Sequence, residues 1–311
     1  MSSRTPPRST QAVELCKDRS GISSATIKLV ALGTMLVDHV GYFLYRTGVV
    51  ETDSFLYLVM RCVGRVSFPL FCFLLAEGME RTTDRGKYLT RLLICAAASQ
   101  IPYSMLFGRG GAGEFSILHA AVCVAILLVC VALLAFTIGR PRPALLISAA
   151  AVIILSQMRW KSGTVILLGE NLNVLFTLSL SAMAICVLQK VFPEKGTVKL
   201  SIRNIAALGA AECILLMLGQ NCSYSIIGVL LPVALWLCLK NRFAQLLAVA
   251  VWAGVKYTLH LPYLSCTLIS VALICFYSGQ YGRWLLPKRF LYWFYPAHLL
   301  ALGALRILIA R

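Results

Sequence analysis

The sequence predicts an all-α, polytopic transmembrane helical bundle of about ten or eleven spans with its N-terminus in the cytoplasm. Three observations carry that reading. Hydrophobic residues fill 59% of the 311 positions and charged residues 13%, where a soluble domain carries about 25% charged. The apolar residues come in blocks of helical length, without the strand-like alternation of an outer-membrane barrel. Basic residues collect in every second segment between blocks, the pattern by which positive charge orients a membrane protein. A soluble core of this length cannot hide so much apolar surface, so bilayer is the expected solvent and partner.

The first 25 residues are polar and carry Arg4, Arg8, Lys17 and Arg19. They lack the short apolar core and small-residue cleavage site of a signal peptide, and they read as a cytoplasmic tail, disordered at its Ser/Pro-rich start. Residues 26–311 read as a single transmembrane domain. Its expected spans are Ile27–Tyr45, Phe55–Gly78, Tyr88–Phe107, Phe115–Ile138, Ala144–Met158, Leu172–Phe192, Ile202–Leu218, Tyr224–Leu239, Phe243–Leu259, Leu264–Tyr277 and Phe290–Ile309. Most reach the roughly 17–25 residues that cross a hydrocarbon core. The fifth, eighth and tenth are short and read as partly re-entrant.

Charge tests this order. With the N-terminus inside, twenty basic residues fall on the inner side, from the tail through Lys28 to Arg283, Lys288 and Arg289. Six fall outside: Arg46, Arg109, Arg159, Lys161, Lys256 and Arg311. Removing one span would break the alternation downstream of it. The net charge of +17 is therefore spread through short loops, not gathered on one face, and a nucleic-acid partner is not expected. Most of the twelve cysteines, among them Cys62, Cys72, Cys95, Cys186 and Cys275, lie inside apolar segments and no Cys-x-x-Cys pair occurs. They read as small hydrophobes, and no metal site is expected.

Ionisable groups inside spans cost several kcal/mol unless paired or solvated. Asp38 and His39 lie in the first span, six or seven residues from its outer end, roughly 10 Å deep. Arg61 and Arg65 lie four apart on the second, hence on one face. Arg61 should reach the level of Asp38, and Arg65 a turn deeper, giving an Asp–Arg pair across a short hairpin. Pro69 should kink the second helix and free backbone carbonyls beside a cavity. His39, with a pKa near neutrality, suits a general base oriented by the neighbouring carboxylate. His298 sits about 12 Å into the last span from the inner side. That puts the two imidazoles about 8 Å apart along the membrane normal, within the roughly 30 Å core. Arg61, Tyr224 and Asn173 are the remaining polar residues expected to line a cavity, the last two as a helix cap or a hydrogen-bond donor. Arg306 also falls within a span. Glu77 and Glu80 read as an interfacial charge cluster with Arg81 and Arg85. No P-loop, dinucleotide fingerprint, His-Glu-x-x-His or Gly-x-Ser-x-Gly motif occurs.

The same residues carry a family resemblance. Ile27–His39, Gly64–Phe71, Ser99-Gln100-Ile101-Pro102-Tyr103, Asn173–Thr177, Tyr224 with Gly228, and Tyr295-Pro296-Ala297-His298-Leu299 resemble, in order, the motifs of the TraX family. The likeness runs from about Ile27 to the C-terminus. The chain departs from the family in a longer stretch between Pro102 and Asn173, read as an extra hairpin at about 108–165. It departs again at Ser223, where many relatives carry Asp. The resemblance implies a relation to pilin N-terminal acetylation and to multi-spanning membrane acyltransferases.

The expected function is therefore an integral membrane acyltransferase of the cell membrane. It would move an acetyl group from acetyl-CoA, the implied donor, to a membrane-associated or extracytoplasmic acceptor: a peptide amine, a sugar hydroxyl or a lipid. His39, held by Asp38, would be the general base. Arg65 would keep Asp38 ionised or meet charge developing on the thioester oxygen, and His298 would meet the CoA end or relay a proton. The same groups also suit a proton-coupled transporter or flippase, although no inverted repeat is evident, and a non-catalytic membrane assembly partner is the third reading.

Overall fold

A computed structural model describes residues 21–108, 172–191, 222–284, 286–287 and 290–309, with short pieces at 161–162, 165–166, 209, 212 and 219–220. The helices are α1 (Ser24–Arg46), α2 (Phe55–Gly64), α3 (Ser67–Arg81), α4 (Arg85–Phe107), α5 (Val174–Val191), α6 (Ser225–Leu237), α7 (Arg242–Lys256), α8 (Leu261–Cys275) and α9 (Phe290–Ile309). Lys161–Ser162 and Val165–Ile166 pair as β1 and β2, a two-residue antiparallel hairpin that no sequence pattern announced. The expected spans Phe115–Ile138 and Ala144–Met158, the span Ile202–Leu218 apart from residues 209 and 212, and most of the expected extra hairpin lie outside the described residues.

The chain folds as a helical membrane bundle. Ser24–Arg46, Phe55–Arg81 and Phe290–Ile309 are long and apolar enough to cross a membrane; Val174–Gln189, Ser225–Leu237 and Leu261–Cys275 are shorter apolar helices. Thirteen residues of α6 rise only about 20 Å, in line with the short spans expected there. Apolar residues such as Phe55, Phe243, Val251, Leu268 and Leu300 face outward, as lipid contact requires and an aqueous surface would not.

Local chemistry sets the helix ends. Ser23 caps α1 by accepting from the Thr26 amide at 3.2 Å, Asp84 caps α4 through the Lys87 amide at 2.9 Å, and Asn241 caps α7 through the Ala244 amide at 3.1 Å. α1 begins three residues earlier than expected. Ile22 pairs as an isolated bridge with Tyr277, and the Ser24 and Ala25 amides donate to Gln280 and Tyr281 carbonyls at 2.8 and 2.9 Å. Residues 21–25, expected to belong to the tail, are thus tied to the loop after α8.

One large core joins α1 and α3 through α8, with Phe73, Ile27, Leu70, Met79, Leu89, Leu180 and Ile185 fully buried. A second, smaller cluster of Leu32, Met35, Leu106, Tyr295 and Leu299 lies between α1, α4 and α9. Small residues let these helices close up. A Cβ on Gly303 of α9 would come within 2.7 Å of the Met105 Cβ on α4, and one on Gly41 of α1 within 2.8 Å of the Met60 Cβ on α2. The seams of α1 with α2 and α9 hold Asp38, Arg61, His39 and His298.

Candidate functional site

The second expected span is broken where the site begins. Arg65 and Val66 leave the α-helix: their amides reach back only three residues, to Cys62 and Val63 at 3.0 and 3.2 Å. Pro69 follows in the first turn of α3, where its missing N–H costs little within α3 but leaves the Arg65 carbonyl without a helical donor. Side chains take over the other freed carbonyls. Arg65 Nε donates to Arg61 O at 3.1 Å, and Ser67 Oγ donates to Gly64 O at 2.9 Å. The interruption falls at Arg65 and Val66, just before Pro69, and both residues keep right-handed helical dihedrals.

Beside this interruption two guanidiniums meet one carboxylate. Arg61 Nη1 donates to Asp38 Oδ2 at 2.8 Å and Arg65 Nη2 to Asp38 Oδ1 at 2.6 Å. Asp38 is reachable because Gly64 lies directly opposite on α2; a Cβ there would land on the Asp38 side chain. Aromatic rings surround the arginines. Arg61 sits 5.5 Å from the Tyr42 centroid and 5.9 Å from that of Tyr57, and Arg65 sits 5.5 Å from Tyr263, distances at which a ring face stabilises a cation. Two cations on one anion leave this cluster with an excess of one positive charge.

His39 faces elsewhere. Neighbours on an α-helix point about 100° apart, so with Asp38 turned toward α2, His39 turns toward α9. Both oxygens of Asp38 are occupied by arginine, and the expected Asp38–His39 couple is replaced by another: His39 Nδ1 lies 2.7 Å from His298 Nε2. The two rings are nearly parallel, with centroids 5.0 Å apart, and both residues are buried. His298 Nδ1 in turn lies 2.6 Å from the Phe294 carbonyl.

That chain of contacts fixes the tautomers of the neutral pair. A carbonyl only accepts, so His298 Nδ1 carries a hydrogen. Its Nε2 is then bare and accepts from His39 Nδ1–H. His39 Nε2 is left with a free lone pair. An imidazole whose tautomer is held by a hydrogen bond at its other nitrogen is a positioned base. Sequence spacing pointed to both histidines but had them apart; the structure joins them.

Beyond His39 an aromatic ladder continues. The Phe107 ring meets His39 edge-on at 5.2 Å and stacks on Tyr42 at 4.6 Å and on Tyr103 at 4.8 Å. Tyr42 then lies under the guanidiniums of both Arg46 and Arg61, at 6.0 and 5.5 Å. Arg306, noted in the sequence only as a cation within a span, is 6% exposed. Its Nη1 donates to the carbonyls of Met105, Leu106 and Gly108 at 2.9, 3.0 and 3.3 Å. It thus closes the C-terminal end of α4, where a cation also meets the negative end of the helix dipole.

The other expected polar residues split by role. Asn173 is both cap and donor: its Oδ1 accepts from the Leu175 amide at 3.0 Å, and its Nδ2 donates to Ala96 O at 2.7 Å and Gln100 Oε1 at 2.9 Å. It is fully buried and pins α5 to α4, away from the imidazoles. Tyr224 stands at the N-cap position of α6 but makes no side-chain cap. Its ring stacks face to face on Phe68 at 3.7 Å, in space that Gly228 leaves open. Ser223 accepts from the Tyr103 hydroxyl at 3.1 Å and donates to Leu172 O at 2.8 Å, so it serves as a structural link there.

No solved structure matches the chain. Over 84 residues it is 34% identical to the probable fimbrial assembly protein FimC, serogroup H1, of Dichelobacter nodosus, a match covering 27% of this chain and 32% of that protein. The chain thus spans about a third of that relative's length. The family described as TraX protein matches over residues 23–170 and 166–306, nearly the whole transmembrane part and all the polar residues above, and the chain belongs to the TraX family.

Proposed function

We propose that this protein is a membrane acyltransferase of the cell membrane that acts in pilus or fimbrial assembly, with the His39–His298 pair as its base. The observation that carries the reading is the bare Nε2 of His39, on a ring backed by a hydrogen bond to a second imidazole. Such a nitrogen takes the proton of an acceptor amine or hydroxyl as that group attacks an acyl carbon. The His39 Nδ1 hydrogen can then pass to His298 Nε2, so that the positive charge is shared by two rings and the Phe294 carbonyl. The proton returns by the same route to the departing group, and the pair is restored. The excess positive charge of Asp38, Arg61 and Arg65 suits charge developing on the acyl oxygen.

Acetyl-CoA, as the implied donor, would supply the acetyl group as a thioester and leave as the thiol. Residues that fit its phosphates and adenine ring gather at the N-terminal end of α1. Lys28 lies 5.8 Å from the Trp284 ring, Arg81 5.2 Å from Tyr281 and Arg242 5.2 Å from Tyr277; Arg81 also pairs with Glu77 at 2.7 Å. The basic inner loops support a cytoplasmic position for this end. The relative's name, a probable fimbrial assembly protein, supports a peptide or pilus-linked acceptor over a free lipid.

The test is acetyl transfer by purified protein with labelled acetyl-CoA. Gln at position 39 keeps size and hydrogen bonding but cannot accept a proton. His39→Gln should insert and bind acetyl-CoA normally, with transfer reduced by at least about a hundredfold, the scale of general-base catalysis. Full transfer by His39→Gln would sink this reading. A hydrogen-bonded imidazole pair between two helices also suits a proton-coupled transporter. That alternative predicts proton movement into proteoliposomes in the absence of any acyl donor.

A further inference from the structure

We propose that the end of the bundle near Arg46 and Arg306 binds a phosphate group carried by the molecule that receives the acyl group. Arg46 and Arg306 meet there on the Gly108 carbonyl, Arg61 shares the Tyr42 ring with Arg46, and among the described residues Asp38, which holds Arg61 and the deeper Arg65, is the acidic residue paired with this group. Glu51 and Asp53 lie out on the α1–α2 loop, exposed, and make no ion pair with these arginines. Isolated cations in a membrane bundle are costly and persist where a partner or a function meets them.

The guanidiniums have donors to spare. Arg306 spends one nitrogen, Nη1, on three carbonyls. Arg46 gives Nη2 to Gly108 O at 3.0 Å and reaches Tyr42 Oη at 3.4 Å with Nη1. Both therefore converge on the last carbonyls of α4 and repel one another unless an anion sits beside them. A guanidinium fork is the side chain best shaped to take two oxygens of a phosphate or carboxylate.

The placement relative to His39 gives the anion its meaning. Tyr42 and Phe107 form a continuous aromatic surface from His39 to Arg46 and Arg61. A molecule lying on that surface with its oxyanion on the arginines would bring a more distant amine or hydroxyl to His39 Nε2. Calling the bound molecule the acceptor rests on the reading of His39 as base. The binding itself does not, so the two fail separately.

The test uses the full chain in uncharged detergent and no acyl donor. Inorganic phosphate, glycerol 3-phosphate, glycerol, and phosphatidylglycerol in mixed micelles are titrated while thermal unfolding and intrinsic fluorescence are followed. Saturable binding of a phosphate probe, with none for glycerol, is expected. A response to the soluble phosphates assigns a soluble anionic acceptor, and a response to phosphatidylglycerol alone assigns a lipid headgroup. Arg46→Gln should weaken binding about tenfold or more, the loss of a charge-assisted bond. Lys87→Gln, at the opposite end of the bundle, should not, and His39→Gln should bind as the parent does. Arg306→Gln is a second arm, and if it unfolds because α4 loses its cap, Arg46→Gln and the glycerol comparison still decide. No response to any phosphate probe, equal response to glycerol, or parental binding by Arg46→Gln overturns the proposal.

Discussion

His39 and His298 share a hydrogen bond of 2.7 Å across 259 positions of sequence, and it joins the first and last helices at their most polar point. Because Phe294 O fixes the hydrogen on His298 Nδ1, the two histidines are not equivalent. His39 presents the reactive nitrogen and His298 stands behind it. His298→Gln should therefore retain a base and lose its backing, lowering acetyl transfer less than His39→Gln does. The parent's pH–rate profile should lose activity on the acid side, since protonation of either ring removes the bare nitrogen. In His298→Gln that limb should move, because a structural role for His298 would lower the rate without moving it. Equal losses in both variants with an unmoved limb would mean that the pair acts only as packing.

The structure changes what is expected of the ion pair. With Asp38 held by both Arg61 and Arg65, removing Asp38 leaves two like charges facing one another. Asp38→Ala should destabilise by about 3–5 kcal/mol at full burial, somewhat less here because the three side chains keep 13–18% exposure. Replacing Asp38 and Arg65 together by Leu still strands Arg61, so that double variant should remain unstable. Adding Arg61→Leu should recover most of the loss. Chemical unfolding in detergent, followed by tryptophan fluorescence, separates the three. A fully stable double variant would show that Arg61 is solvated and not a member of the cluster.

Much of this site was legible in the sequence because intramembrane charges are rare and each demands a partner. The Asp38–Arg65 contact, the break in the second span near Pro69 and the inward-facing histidines follow from that rule and from helical spacing. The His39–His298 bond does not. Counting His39 inward from the outer face and His298 from the inner face of a roughly 30 Å core placed the rings about 8 Å apart along the normal. In the fold, His39 stands fifteen residues from the start of α1 and His298 eight from the start of α9, about 22 and 12 Å. Their contact requires α9 to begin about 10 Å further into the bundle or to tilt by as much, a tertiary offset with no local signature. The pairing of His39 with Asp38 failed for a simpler reason: chain neighbours on a helix face different helices. Arg306 was visible as a buried cation, but its partners are backbone carbonyls, which carry no sequence signal.

Asn173 offers a test of packing away from the chemistry. Its amide donates to two acceptors on α4, Ala96 O and Gln100 Oε1, while its oxygen caps α5. Asn173→Asp keeps size and cap but turns the donor into an oxygen facing two oxygens. Asn173→Ala removes the bonds without adding repulsion, at about 1–3 kcal/mol for each buried group left unsatisfied. The aspartate variant should therefore be the less stable of the two, with the order read from thermal unfolding. The reverse order would mean that water replaces the amide at this seam.

Glycine provides the sharpest contrast, since one helical glycine faces open space and another, at a helix end, faces a side chain. Gly64 ends α2 where the Asp38 side chain crosses, and a Cβ there would occupy the carboxylate's place; Gly33 in α1 has nothing within 4 Å of its would-be Cβ. On helix propensity alone both changes to Ala would stabilise, by up to about 1 kcal/mol. Gly33→Ala should follow that expectation, with unchanged transfer activity. Gly64→Ala must push α2 from α1 or displace Asp38, which breaks the bonds to Arg61 and Arg65 and exposes an unpaired charge. It should lower the unfolding midpoint and reduce acetyl transfer, and the loss should be largely absent when Asp38 is already Ala, because the two changes then share one cause. Additive losses in that double variant would place the damage elsewhere on the α1–α2 seam, and equal stability for Gly64→Ala and Gly33→Ala would remove the close approach of Asp38 as a determinant of the fold.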